Sequence, residues 1–208
     1  MKKFVLSLNT LLLFIGCNFL FSQNFFHDSP SNLKNQKILV LTHPTVDNLQ
    51  SFMELEHQDL IDLSGVRIVG VYYDQENYDY SRTKNYLDTL DHPSVPIFLH
   101  ALKDTLSQHT VFRKNALSDD FYRIFKQSAG VVFFGGPDIP PSIYDENTRL
   151  LTHISDPDRH YFEISFLYHL LGGKGQKDFS NYLAQDSTYL IYGFCLGMQS
   201  MNVATGGS

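Results

Sequence analysis

Cysteine is nearly absent from this chain: its 208 residues include two, Cys17 and Cys195. Cys17 lies in an apolar leader, so the mature domain is expected to keep Cys195 alone, and a solitary thiol excludes an internal disulfide framework. Runs of Lys or Arg are missing too. With 16 basic against 22 acidic residues and a formal charge of -6, there is no cationic stripe for phosphates, and nucleic acid is not an expected partner. The nine histidines come without an H-E-x-x-H pattern or a cysteine cluster; His160 and Glu163 stand at helical spacing, but no metal site is expected. The segment 172–175 (GGKG) lacks full P-loop spacing and reads as a helix terminator and turn. Internal repeats are also missing. Apolar and charged fractions of 43% and 18% are ordinary for a globular domain, and the length suffices for one sizeable core.

Lys2 and Lys3 precede a mostly apolar run over residues 4–21, followed by Ser22-Gln23. This is the pattern of a secretory signal occupying residues 1–22, with cleavage near Ser22-Gln23 and export as the expected outcome. A retained membrane anchor is the alternative, disfavoured because Asn9, Thr10 and Asn18 interrupt the run. Lipoprotein processing at Gly16-Cys17 is a further possibility, although Phe14 stands where such sites usually carry Leu. Cleavage would remove two of the 16 basic residues and none of the 22 acidic ones, taking the formal charge from -6 to -8. Residues 23–36, polar and containing Ser29-Pro30-Ser31, read as a linker, and residues 37–208 as the folded domain.

Within that domain, short apolar runs at 37–42 (KILVLT), 66–73 (VRIVGVYY), 95–99 (VPIFL), 131–134 (VVFF) and 189–192 (YLIY) suit strands buried on both faces, with Pro96 making the third an edge candidate. Helical character falls between them. It covers 81–90; the stretch from Ser118-Asp119-Asp120, an N-cap with acidic residues after it, to Ala129-Gly130; and the stretch from Asp156-Pro157 to about Leu171. A last helix is expected after Cys195. Alternating strands and helices predict an α/β fold of three layers, a largely parallel sheet flanked by helices, whose ligands bind at the carboxyl ends of the strands. Two glycine-rich turns, after Phe134 and after Tyr192, fall there.

The second turn carries the chemistry. In Gly193-Phe194-Cys195-Leu196-Gly197 the cysteine is framed two residues away on each side by glycine, as in a strand-to-helix nucleophile elbow, where small neighbours let strand and helix approach. Such a turn sets Cys195 at a helix amino terminus, where the dipole and free N–H groups favour thiolate. Acyl transfer also needs donors for the oxyanion, which Leu196 N–H and, from the other glycine turn, Gly136 N–H can supply. Less dramatic readings are open for each residue: a buried apolar cysteine, a plain turn at Gly135-Gly136-Pro137, a solvated Gln199, and an Arg159 ion-paired with Asp156 or Glu163.

Four stretches in order, VVFFGGPDIPPSIYDE at 131–146, DPDRHYFE at 156–163, GFCLGMQ at 193–199 and NVATGGS at 202–208, make the chain resemble the class I glutamine amidotransferase-like superfamily. Within it, the likeness is to the γ-glutamyl-γ-aminobutyrate hydrolase family. The resemblance implies a flavodoxin-like α/β fold and hydrolysis of a small γ-glutamyl amide through a thioester on Cys195. Gly136 and Leu196 would hold the oxyanion, Gln199 would lie against the substrate's α-amino-acid end, Arg159, beside the site, would join it in binding the substrate, and no cofactor is implied. Relatives often carry Asp after that arginine, where this chain has His160. They complete a Cys-His-Glu triad with residues after the ATGGS-like stretch, so the chain is read as lacking its carboxy-terminal part. The alternatives are the glutaminase component of an amidotransferase, which export disfavours, and a non-catalytic binding domain that keeps the elbow.

Overall fold

The structure, a computed structural model, describes residues 24–28, 37–90, 95–173 and 176–207. The expected signal segment with Cys17, most of the expected linker, Lys174-Gly175 and Ser208 lie outside the described residues.

Strands β1 (Lys37–Thr42), β2 (Val66–Tyr73), β3 (Ile97–Leu102), β4 (Gly130–Phe133) and β5 (Leu190–Gly193) form a five-stranded sheet in the order β3-β2-β1-β4-β5. Every pairing is parallel. The strands are apolar almost throughout because both faces are covered. On one face Ile68, Tyr72, Leu99 and Val132 pack against α2 (Val46–His57) and α3 (Tyr80–Asp88). On the other, Val69, Val71, Val131 and Phe133 pack against α4 (Ser118–Gln127), α5 (Pro157–Leu171) and α6 (Leu196–Ala204). The molecule is thus a three-layer α/β fold. No helix among the described residues is long and apolar enough to cross a membrane.

Local details follow sequence chemistry with a few differences. Asp156 caps α5, accepting the backbone N–H of Arg159 at 3.3 Å, with Pro157 in the first turn and Gly172 at φ 78° ending the helix. Pro96 sits just outside β3, which is an edge strand. Ser118 lies inside α4 rather than at its cap, because its hydroxyl bonds the Asn115 N–H at 2.8 Å and His169 Nε2 at 2.7 Å. Helix α2 carries little amphipathic signal and was not expected; Thr45 caps it by accepting the Asn48 N–H at 3.2 Å. Part of the expected linker also belongs to the fold. Residues Phe25–Asp28 form α1, and Phe25 and Phe26 are buried in the core, since two adjacent phenyl rings gain more from burial than their polar neighbours can oppose.

The strand order fixes where a ligand can enter. From β1 the chain winds outward through α2 and α3 to β2 and β3; from β3 it returns through α4 to β4 and then outward through α5 to β5. Connections leave β1 and β4 in opposite directions, and the carboxyl ends of these neighbours border a crevice.

Candidate active site

Three segments meet at that edge: His43 after β1, the Gly135-Gly136 loop after β4 and Cys195 after β5. Cys195 has φ 49° and ψ -107°, a strained conformation for a residue with a side chain, and it stands exposed between β5 and the first residue of α6. Both elbow glycines are required by close approach. A side chain at Gly193 would come within 2.6 Å of the Gly197 carbonyl carbon, and one at Gly197 would run into the Phe133 carbonyl oxygen. The two turns are adjacent: a β-carbon on Gly135 would lie 3.3 Å from Cys195 Cβ and 3.9 Å from its Sγ. Phe194 N–H donates to Phe133 O at 2.9 Å and ties the loops together.

Donors sort themselves at the start of α6. Gly197 N–H is taken by Phe194 O at 2.8 Å, and Met198 and Gln199 N–H by Cys195 O at 3.1 and 3.4 Å. Leu196 N–H, beside the sulfur, has no backbone partner among the described residues, nor has Gly136 N–H. A free amide next to an exposed thiol can receive a developing oxyanion.

Arg159 is 2% exposed and lies beneath the glycine loop. Its Nη2 donates to the carbonyls of Phe134 and Gly135, both at 3.0 Å, and its Nε to Glu163 Oε1 at 3.2 Å. Of the two ion-pair partners considered, Glu163 is the one in place, so the guanidinium meets the site through the loop and not across open space. His160 is 1% exposed; burial first, then the charges of Arg159 and His43, push its pKa down to about 4. Gln199 is exposed and lines a cleft of about 460 Å³ with Asp138, Tyr144, Thr152, Met198 and Asn202. That cleft lies beside the elbow, and neither Cys195 nor Gly136 is part of its wall.

A second cluster escaped the sequence reading. His43, at φ 45°, is hydrogen-bonded through Nδ1 to Glu76 Oε2 at 2.5 Å; Tyr80 donates to the same oxygen at 2.6 Å, and Tyr73 N–H to Oε1 at 2.8 Å. Burial first and the Glu76 charge second hold the Tyr80 phenol well above its ordinary pKa, so it stays a donor. The one available signal was position: His43 is the first residue beyond the carboxyl end of β1, where ligands of such sheets bind. No hydrogen bond joins the Cys195 sulfur to an imidazole among the described residues; His43 is engaged with Glu76 and Tyr80, and His169 with Ser118 and Ser165. Nor does any group of three His, Cys, Asp or Glu side chains among the described residues suit a metal ion. Set against protein-family models, curated proteins and solved structures, the chain matches none, so the strained Cys195 and the glycine turn beside it have to carry the functional reading by themselves.

Proposed function

We propose that this chain is a cysteine hydrolase of small γ-glutamyl amides, exported after cleavage of its leader, as its resemblance to the γ-glutamyl-γ-aminobutyrate hydrolase family implies. The observation that carries the reading is Cys195 itself, strained, exposed, and next to both the Gly135-Gly136 turn and the Leu196 N–H, with neither the Leu196 nor the Gly136 N–H bonded to backbone among the described residues. The Cys195 thiolate attacks the γ-carbonyl carbon, and the oxygen takes the electron pair while the two amides hold its charge. Collapse breaks the C–N bond, the amine leaves with a proton taken from solvent, and a γ-glutamyl thioester remains. Water then attacks the thioester, releasing glutamate and the thiolate. Gln199 and the cleft beside it accommodate the α-amino-acid end.

Glutamate release from a panel of γ-glutamyl amides, with Cys195→Ala as the control, tests this directly. Turnover by the wild type that vanishes in the variant is expected. Equal release by both would remove the thiol from the chemistry. A second reading, a binding domain that keeps the elbow without turnover, is favoured by one observation: no described imidazole is bonded to the Cys195 sulfur. Calorimetric binding of a γ-glutamyl amide without glutamate release would favour it.

A further inference from the structure

The guanidinium of Arg159 is clamped from several sides. Glu163 Oε1 accepts from its Nε at 3.2 Å, and the same oxygen accepts the Thr42 hydroxyl at 2.9 Å, so β1 and α5 hold the carboxylate between them. Asp156 Oδ1 takes the Arg159 backbone N–H at 3.3 Å, while its other oxygen takes the Asn77 N–H at 2.9 Å. From this anchorage Nη2 reaches the carbonyls of Phe134 and Gly135 at 3.0 Å each. Such a planar fork fixes direction as well as distance.

Peptide geometry converts that hold into an aim. No cis peptide bonds occur among the described residues, and in a trans peptide the N–H points opposite to the carbonyl across the same plane. Drawing the Gly135 oxygen toward the buried guanidinium therefore turns the Gly136 N–H the other way, toward the exposed side of the loop, where Cys195 stands. Glycine at 136 has a matching reason: a β-carbon there would collide with Arg159 Nη1. The glycine makes room for the arginine below it.

We propose that Arg159, held by Glu163 and Thr42, is a positioning residue that orients the Gly136 N–H as an oxyanion donor for Cys195, an inference that rests on the hydrolase reading. It assigns Arg159 no contact with substrate.

The test uses the full chain with Arg159→Gln combined with Glu163→Gln, which leaves no orphaned buried charge, and Arg159→Lys beside it. The double variant is expected to lose about 100-fold in kcat on γ-glutamyl amides, with KM within about threefold, because the lost interaction acts in the transition state. Arg159→Lys, a point charge without the fork, should fall between it and wild type. Alkylation of Cys195 by iodoacetamide forms no oxyanion, so its rate should stay within about threefold of wild type. Unchanged kcat overturns the proposal, as does a parallel loss of alkylation and hydrolysis, which would mean that Arg159 merely holds the elbow together. A wild type that hydrolyses no γ-glutamyl amide refutes the hydrolase reading separately. Hydrogen exchange at the Gly136 amide then decides the positioning claim: faster exchange in the double variant keeps it, and an unchanged rate overturns it.

Discussion

Replacing Cys195 by glycine should stabilise this protein relative to replacing it by alanine, the reverse of what glycine usually does. At φ 49° and ψ -107° an L-residue carries about 1–3 kcal/mol of backbone strain, which glycine relieves and alanine retains. Opposing this is glycine's greater loss of chain entropy on folding, about 0.5–1 kcal/mol. The side chain is exposed, so lost packing adds little to either variant. Taken at mid-range, the difference favours Cys195→Gly by about 1 kcal/mol, or roughly 2–4 °C in Tm for a domain of this size. Thermal and urea unfolding of the two variants, both without the thiol, measure it. If the alanine variant proves as stable as the glycine variant or more so, the elbow is not strained in this way.

Other consequences concern the core and its ionisable groups. Burial, the largest cause in each case, lowers the pKa of His100 to about 3 and of His160 and His169 to about 4. An unfolded chain protonates histidine near pH 6.5, so the unfolded state takes up protons first. Stability present above about pH 6.5 is lost as pH falls toward 4 for His160 and His169 and toward 3 for His100, by about 1 kcal/mol per histidine at pH 5.5. Urea midpoints between pH 7.5 and 5.5 should fall accordingly, and His169→Gln should flatten the slope; a slope unchanged by that variant would contradict the assignment. Phe26→Ala, which removes a buried ring set edge-on to His100 with centroids 5.1 Å apart, should destabilise by about 3–5 kcal/mol. A change under about 0.5 kcal/mol would return this segment to the linker. Gly197→Ala drives a methyl group into the Phe133 carbonyl and should lower both Tm and the alkylation rate of Cys195; wild-type values of both would show the elbow to be looser than described.

The layered α/β fold was legible because its strands are uniformly apolar and its glycines punctuate them. Pro96 marked an edge strand, and Asp156-Pro157 marked the start of α5, through local chemistry that tertiary packing had no cause to override. The elbow was legible for a similar reason: Gly193 and Gly197 are needed by contacts within one short turn. What escaped depends on distant partners. Helix α2 gains its stability from Leu49 and Phe52 against the sheet, and spacing alone did not reveal that. Arg159 could be placed on a helix start, but whether its guanidinium would face solvent or the carbonyls of Phe134 and Gly135 depended on strand order. His43 and Glu76, 33 residues apart, meet only because β1 and β2 are neighbours.

The most direct measurement of the central claim is to treat the folded protein with a glutamine-like diazoketone and locate the modification by peptide mass mapping. Such a reagent places an electrophilic carbon where a γ-glutamyl carbonyl would sit. A single adduct on Cys195, suppressed by an excess of γ-glutamyl substrate, is the result expected of a thiol poised for acyl transfer. An unmodified Cys195 in protein shown to be folded, with the reagent in large excess, would contradict it.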